Sequence, residues 1–171
     1  EPEKEIERIL SLGLKGVKLH PDFQKFEADS SAAMQLYEPM EGRLPLLIHA
    51  GDKRYHYSHP SQIANIIDRF PNLDVIAAHF GGWSEWDAAP KYLQGRRVWV
   101  DTSSSLYEIT PEKARKLIDC FGEDFVFFGT DYPMWKVNEE LERLNQLELS
   151  DEQLEKILHL NVERLLAKYE R

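Results

Sequence analysis

"LPLLIHAGD", residues 44–52, is an apolar run that breaks off at a histidine. Leu46, Leu47 and Ile48 lack polar alternation, as expected of a strand buried on both faces. The same layout recurs along the chain. "GVKLH" (16–20), "PLLIH" (45–49), "DVIAAH" (74–79), "RVWVD" (97–101) and "FVFFG" (125–129) start 29, 29, 23 and 28 residues apart. Spacing of that kind leaves room for a helical crossover, which parallel strands require.

Helical patterns fill the gaps. Ile6, Ile9 and Leu10 precede the first run and Gly13 ends that helix. Ala33, Leu36, Tyr37 and Met40 follow the i, i+3, i+4, i+7 spacing, and so do Ile63, Ile66, Ile67 and Phe70 before Pro71. Thr110-Pro111 predicts a cap and a first turn, with Ala114, Leu117, Ile118 and Phe121 on one face and Gly122 beyond. Ser150 and Gln153 predict a capping box. A long closing helix comes last, striped by Leu154, Ile157, Leu158, Val162, Leu165, Leu166 and Tyr169.

The fold class is therefore α/β, with residues 1–171 as a single domain. Two architectures compete: an open five-stranded parallel doubly wound sheet, and strands 4–8 with their helices, the C-terminal portion of a (β/α)8 TIM barrel. His20, His49, His79, Asp101 and Asp131 end or closely follow five different runs. An open sheet needs such groups only at its switch point, whereas a barrel gathers every strand end at one mouth. The pattern favours the barrel, and no Gly-rich phosphate loop supports the open sheet.

Composition narrows the partners. The chain carries 30 acidic against 21 basic residues, a net charge of −9, which argues against nucleic acid. No run of 18 apolar residues appears, so no membrane-spanning helix is expected. The single cysteine, Cys120, excludes an intrachain disulfide and reads as a small buried filler. "EPEKEIERIL" (1–10) is a charged helix start and not a secretory signal, so the expected setting is cytoplasmic.

Asp131 follows a strand of Val126, Phe127 and Phe128, where an unpaired charge is costly to bury. It has two readings, a cap for the next helix or a partner for a cation. His49 and His79 hold equivalent strand-end positions. One such histidine is ordinarily a hydrogen-bonded rim residue, but two imidazoles and a carboxylate form the donor set that zinc or another divalent ion prefers.

"GVKLHP" (16–21), "PLLIHAGD" (45–52), "VIAAHFGG" (75–82) and "VFFGTDYP" (126–133), in this order, resemble the amidohydrolase superfamily, and more narrowly the amidohydrolase-2 branch of metal-dependent TIM-barrel hydrolases and related decarboxylases. "LHLNVERLLAKY" (158–169) is similar to that branch's final helix. The resemblance implies His49 as the strand-5 metal ligand and His79 as the strand-6 histidine that polarises substrate or orients water. It implies Asp131 as a strand-8 metal ligand and general base. The family's strand-1 His-x-His pair has no counterpart; His56 and His59 lie in a loop and do not replace it. The expectation is a chain lacking strands 1–3, about 80–100 residues of a typical barrel, and active only with them.

The activity that the resemblance implies is that of a metal-dependent hydrolase, in which activated water attacks an amide, ester or lactone carbonyl of a small, anionic substrate. Non-oxidative decarboxylation of an aromatic or unsaturated acid is the alternative, and a non-catalytic fragment or vestigial binding module a third. One metal ion is expected per complete site, and two only if Lys18 is carbamylated. Lys18, His20, Arg54, Trp83 and Asp101 are candidate substrate contacts, and Trp86 and Trp135 further candidates for the pocket wall. A partial barrel would expose apolar strands, so a homo-oligomer is expected.

Overall fold

The computed structural model describes residues 1–170. Five short parallel strands form one sheet: β1 (Val17–Leu19), β2 (Leu46–Ile48), β3 (Val75–Ala77), β4 (Trp99–Asp101) and β5 (Val126–Phe127). Each lies within one of the five apolar runs. Helices alternate with them: α1 (Pro2–Ser11), α2 (Pro21–Gln24), α3 (Ser31–Tyr37), α4 (Pro60–Arg69), α5 (Ala89–Leu93), α6 (Pro111–Phe121), α7 (Val137–Asn145), α8 (Asp151–Glu155) and α9 (Asn161–Ala167).

Strand order decides between the two architectures. The sheet runs β1-β2-β3-β4-β5, every neighbour parallel and consecutive in sequence. A doubly wound sheet reverses direction at a switch point. Successive right-handed crossovers without reversal instead place the helices on one side, which is how a barrel is wound. The sheet is open, and it is part of a TIM barrel. The doubly wound alternative is excluded.

Register aligns Leu19, Ile48, Ala77, Val100 and Val126 across the sheet. All five join the main core, with Ile6 from α1, Ile63 and Ile66 from α4, Leu93 from α5 and Ile118 from α6. Each fully buried Leu or Ile there contributes about 1.5–3 kcal/mol. A second cluster joins Trp99 and Phe127 to Leu165 of α9, with Ile76, Val162 and Tyr169 packed against it.

Local signals held at the caps. Thr110 accepts from the Lys113 amide, and Ser150 and Gln153 form the capping box. His59 is a cap as well: its ring accepts from Ser61 N while Gln62 accepts from the His59 amide. Three expectations change. Pro39 interrupts the third helix, so Met40 packs from a 3-10 turn. Cys120 is half-buried rather than enclosed. The closing helix carries a π-turn over Lys156–Leu160, whose extra residue rotates the stripe, leaving Leu158 exposed and Asn161 buried.

Candidate active site

All five strand ends open on one cavity of about 320 Å³. Lys18 comes from β1, His20 and His49 from just beyond β1 and β2, His79 from beyond β3, Ser104 from beyond β4 and Asp131 from beyond β5. Phe23, Trp83, Tyr107 and Trp135 supply aromatic walls. Trp86 is not part of the wall; it is buried, and its indole donates to the carbonyl of His79 and to Ser105 Oγ.

His49 and His79 are both buried. His79 has a φ of 62°, a left-handed backbone that costs a non-glycine residue about 1–2 kcal/mol. The Asp101 carboxylate holds it there by accepting from the His79 amide at 3.1 Å. The outer ring nitrogens face carbonyls: Nε2 of His49 lies 2.8 Å from Gly51 O, and Nδ1 of His79 lies 2.9 Å from Ser103 O. A carbonyl only accepts, so both outer nitrogens carry their protons. The inner nitrogens, His49 Nδ1 and His79 Nε2, then meet as two lone pairs 3.0 Å apart.

That contact is repulsive unless a cation or proton lies between them, and backbone partners of this kind commonly orient metal-binding imidazoles. Burial and the neighbouring His79 and His20 rings push the His49 pKa down to about 2, so the ring is neutral as a ligand must be. A carboxylate stands behind it, on the side of the protonated nitrogen. Asp22 Oδ2 is 3.8 Å from His49 Nε2 and accepts from Ser58, while Asp22 Oδ1 is buried with no hydrogen-bond partner among the described residues. His20, Asp22 and His49 each offer one donor atom within 4.8 Å of the others. The facing lone pairs of His49 Nδ1 and His79 Nε2 fit a divalent cation.

Sequence reasoning missed Asp22. It is the second residue of a four-residue helix, where an acid ordinarily signifies only a first-turn charge.

Asp131 corrects the sequence argument that led to it. Its carboxylate is exposed and needs no cation to offset burial. It has a φ of 55°, and Oδ2 accepts from Ser104 Oγ at 2.7 Å. Asp101, expected at the substrate, does not line the cavity: its Oδ1 accepts from the amides of His79 and Ser103 and from Ser103 Oγ. Lys18 does face the cavity. Desolvation lowers its pKa, and the charges of Asp101 and Asp131 oppose that shift. His20 stacks between Phe23 and His49, with ring centroids 3.9 Å apart on both sides. Arg54 is gripped by Asp52 through bonds of 2.9 and 2.7 Å, which holds its guanidinium 5.3 Å from the Trp83 ring.

A family model described as amidohydrolase matches residues 1–168. The chain belongs to that family. Among solved structures, an uncharacterised TIM-barrel protein from Bordetella bronchiseptica superposes with a TM-score of 0.82 at 27% identity, covering 98% of this chain and 62% of that one. A 5-carboxyvanillate decarboxylase from Novosphingobium aromaticivorans, complexed with manganese and 4-hydroxy-3-methoxy-5-nitrobenzoic acid, superposes with a TM-score of 0.75 at 18% identity, covering 97% and 60%. At that identity the likeness concerns the fold. Decarboxylase orsB of Emericella nidulans is 27% identical over 125 residues, 60% of this chain and 37% of that protein. This amidohydrolase chain thus spans between 37% and 62% of the length of these three relatives. No helix among the described residues is long and apolar enough to cross a membrane.

Proposed function

We propose that the full-length protein is a metal-dependent decarboxylase of a planar aromatic acid. The observation that carries this reading is the pairing of aromatic walls with cations in one cavity: Trp83, Tyr107 and Trp135 beside Lys18 and Arg54. An aromatic ring is held by stacking and edge contacts with such walls, and a carboxylate by the ammonium and guanidinium. The decarboxylases among the relatives support the same choice over the hydrolase that the motifs first suggested.

His49 would hold the cation through Nδ1, with His79 Nε2 beside it and with Asp131 as the resemblance implies. When bound, a divalent ion supplies Lewis-acid polarisation of a substrate oxygen. The chain's own groups do the rest. Lys18 binds and orients the carboxylate. Loss of carbon dioxide leaves an electron pair on the ring carbon, which must be protonated; Asp131, which lines the cavity, would take a proton from water and pass it to that carbon, so that its carboxylate is restored.

Hydrolysis of a lactone, ester or amide is the second reading, favoured by the family's description as amidohydrolase. A panel of ring-carboxylated phenols and aromatic lactones, incubated with the manganese-loaded full-length protein, separates the two. Released carbon dioxide is the expected outcome, and ring opening without it would install the hydrolase instead. Lys18→Met should raise KM for the acid by at least about tenfold, the factor of one lost charged hydrogen bond.

A further inference from the structure

We propose that the serine run after β4 sets the geometry of the site, Ser103 fixing the ring of His79 and Ser104 fixing the carboxylate of Asp131. The inference rests on the reading of His79 and Asp131 as site residues, and it assigns them two positioning residues that neither motif nor fold identifies.

Thr102, Ser103, Ser104 and Ser105 are four consecutive buried residues with hydroxyls. Buried hydroxyls require partners, and these four go to different places. Thr102 Oγ1 accepts from the Gly129 amide at 3.1 Å, tying the end of β4 to that of β5. Ser105 Oγ donates to Ser103 O at 3.0 Å and accepts from Trp86 Nε1 at 3.1 Å. The two hydroxyls between them meet the site.

Ser103 Oγ donates its only proton to Asp101 Oδ1 and lies 2.9 Å from His79 Nδ1. Its remaining lone pairs, with the Ser103 carbonyl 2.9 Å from the same nitrogen, make two acceptors around Nδ1. The proton of His79 is thereby assigned to Nδ1, and Nε2 keeps its lone pair facing His49. Asp101 works through this arrangement: a single oxygen orients the Ser103 hydroxyl and grips the His79 amide.

Ser104 is directional in the same way. The indole of Trp135 can only donate, and it donates to Ser104 Oγ at 3.1 Å. The serine proton is therefore free for Asp131 Oδ2, 2.7 Å away. Oδ2 is occupied, and Oδ1 is left for cation or substrate. Ser104 has a φ of 45° and Asp131 one of 55°, so the two left-handed residues are held facing one another by one hydrogen bond. The same indole stacks on Tyr107 at 4.4 Å, which makes the cavity wall and the carboxylate parts of one assembly.

The test uses the full-length protein and manganese. Ser104→Ala should weaken manganese binding and lower kcat by about 10–100-fold, the range seen when a ligand loses its outer partner, with KM for the acid changed less than kcat. Ser103→Ala removes one of the two acceptors around Nδ1 and leaves the Ser103 carbonyl, so it should raise the Nε2–H fraction of the His79 ring without completing the exchange, read from its ring-nitrogen NMR shifts. Thr110→Ala removes a helix cap remote from the cavity and serves as the stability-matched comparison. Trp135→Phe, at a half-buried position, frees the Ser104 hydroxyl without deleting it and should weaken manganese binding by a smaller factor, so the proposal stays testable if a serine variant fails to fold. Wild-type manganese affinity in both Ser104→Ala and Trp135→Phe, or a wild-type tautomer in Ser103→Ala, overturns it. A protein that binds manganese and shows these shifts, yet decarboxylates no acid, would sink the proposed function and leave the positioning role standing.

Discussion

Nδ1 of His49 and Nε2 of His79 lie 3.0 Å apart, each ring anchored from behind by a backbone carbonyl. Two unprotonated nitrogens so placed are a site poised for a positive charge. Removing one of them should abolish tight cation binding. His49→Ala is expected to lower manganese or zinc affinity by more than the ~10–100-fold that accompanies loss of an outer partner, and Asp131→Asn to lower it as well. Equilibrium dialysis of the full-length protein with metal analysis reads both. Retention of stoichiometric metal by His49→Ala would remove His49 from the coordination sphere.

Five strands and the capped helices were legible because their signals are local. An apolar run of four or five residues has nowhere to go but a buried strand, and Thr110-Pro111 or Ser150 with Gln153 caps a helix by its own hydrogen bonds. The candidate site was legible only as far as strand ends go. His49 and His79 announced themselves by position, whereas Asp22 and Ser104, and the role of Ser103 at the His79 ring, did not. Serine hydroxyls in a turn carry no periodicity, and their partners are 24 and 27 residues away in sequence. The π-turn was invisible for a related reason: one extra residue per turn leaves composition unchanged and moves Leu158 outward.

Asn161 shows what that rotation achieves. Its side-chain amide donates to the carbonyls of Glu123 at 2.7 Å and Val126 at 2.9 Å, fastening the closing helix to β5. Asn161→Leu would orphan both carbonyls, at about 1–3 kcal/mol for each that stays buried. A fall in the urea midpoint with unchanged m is expected. An unchanged midpoint would mean that water or another donor replaces the amide.

Gly51 sits between His49 and Asp52 with a φ of 82°, and a Cβ there would lie 2.6 Å from the Gly82 carbonyl carbon. The carbonyl carbon belongs to backbone and a Cβ is fixed by its own backbone, so neither can swing aside. Gly51→Ala should cost more than the ~1 kcal/mol of left-handed strain alone, and it should spread the loops that carry His49 and Trp83. Thermal unfolding together with manganese titration tests this. Wild-type values in both would show that the two loops separate freely.

Glu140 is buried on α7, with Arg143 bonded to Oε1 and Oε2 lacking a partner among the described residues. Burial raises its pKa above 4.5, and Arg143 opposes that only in part. Between the unfolded and folded pKa values the native state holds more protons than the unfolded chain, so stability falls as pH rises through that window. The penalty is complete above the folded pKa and absent below the unfolded one. Glu140→Gln carries no such charge and should flatten the decline between about pH 4.5 and neutrality. Arg143 would keep its place 5.0 Å from the Trp135 ring, so the cavity wall should survive the change. Urea midpoints measured for both proteins across that range decide the matter. Parallel profiles would mean that Arg143 cancels the burial of Glu140 in full, and a steeper decline in the variant would reverse the assigned sign.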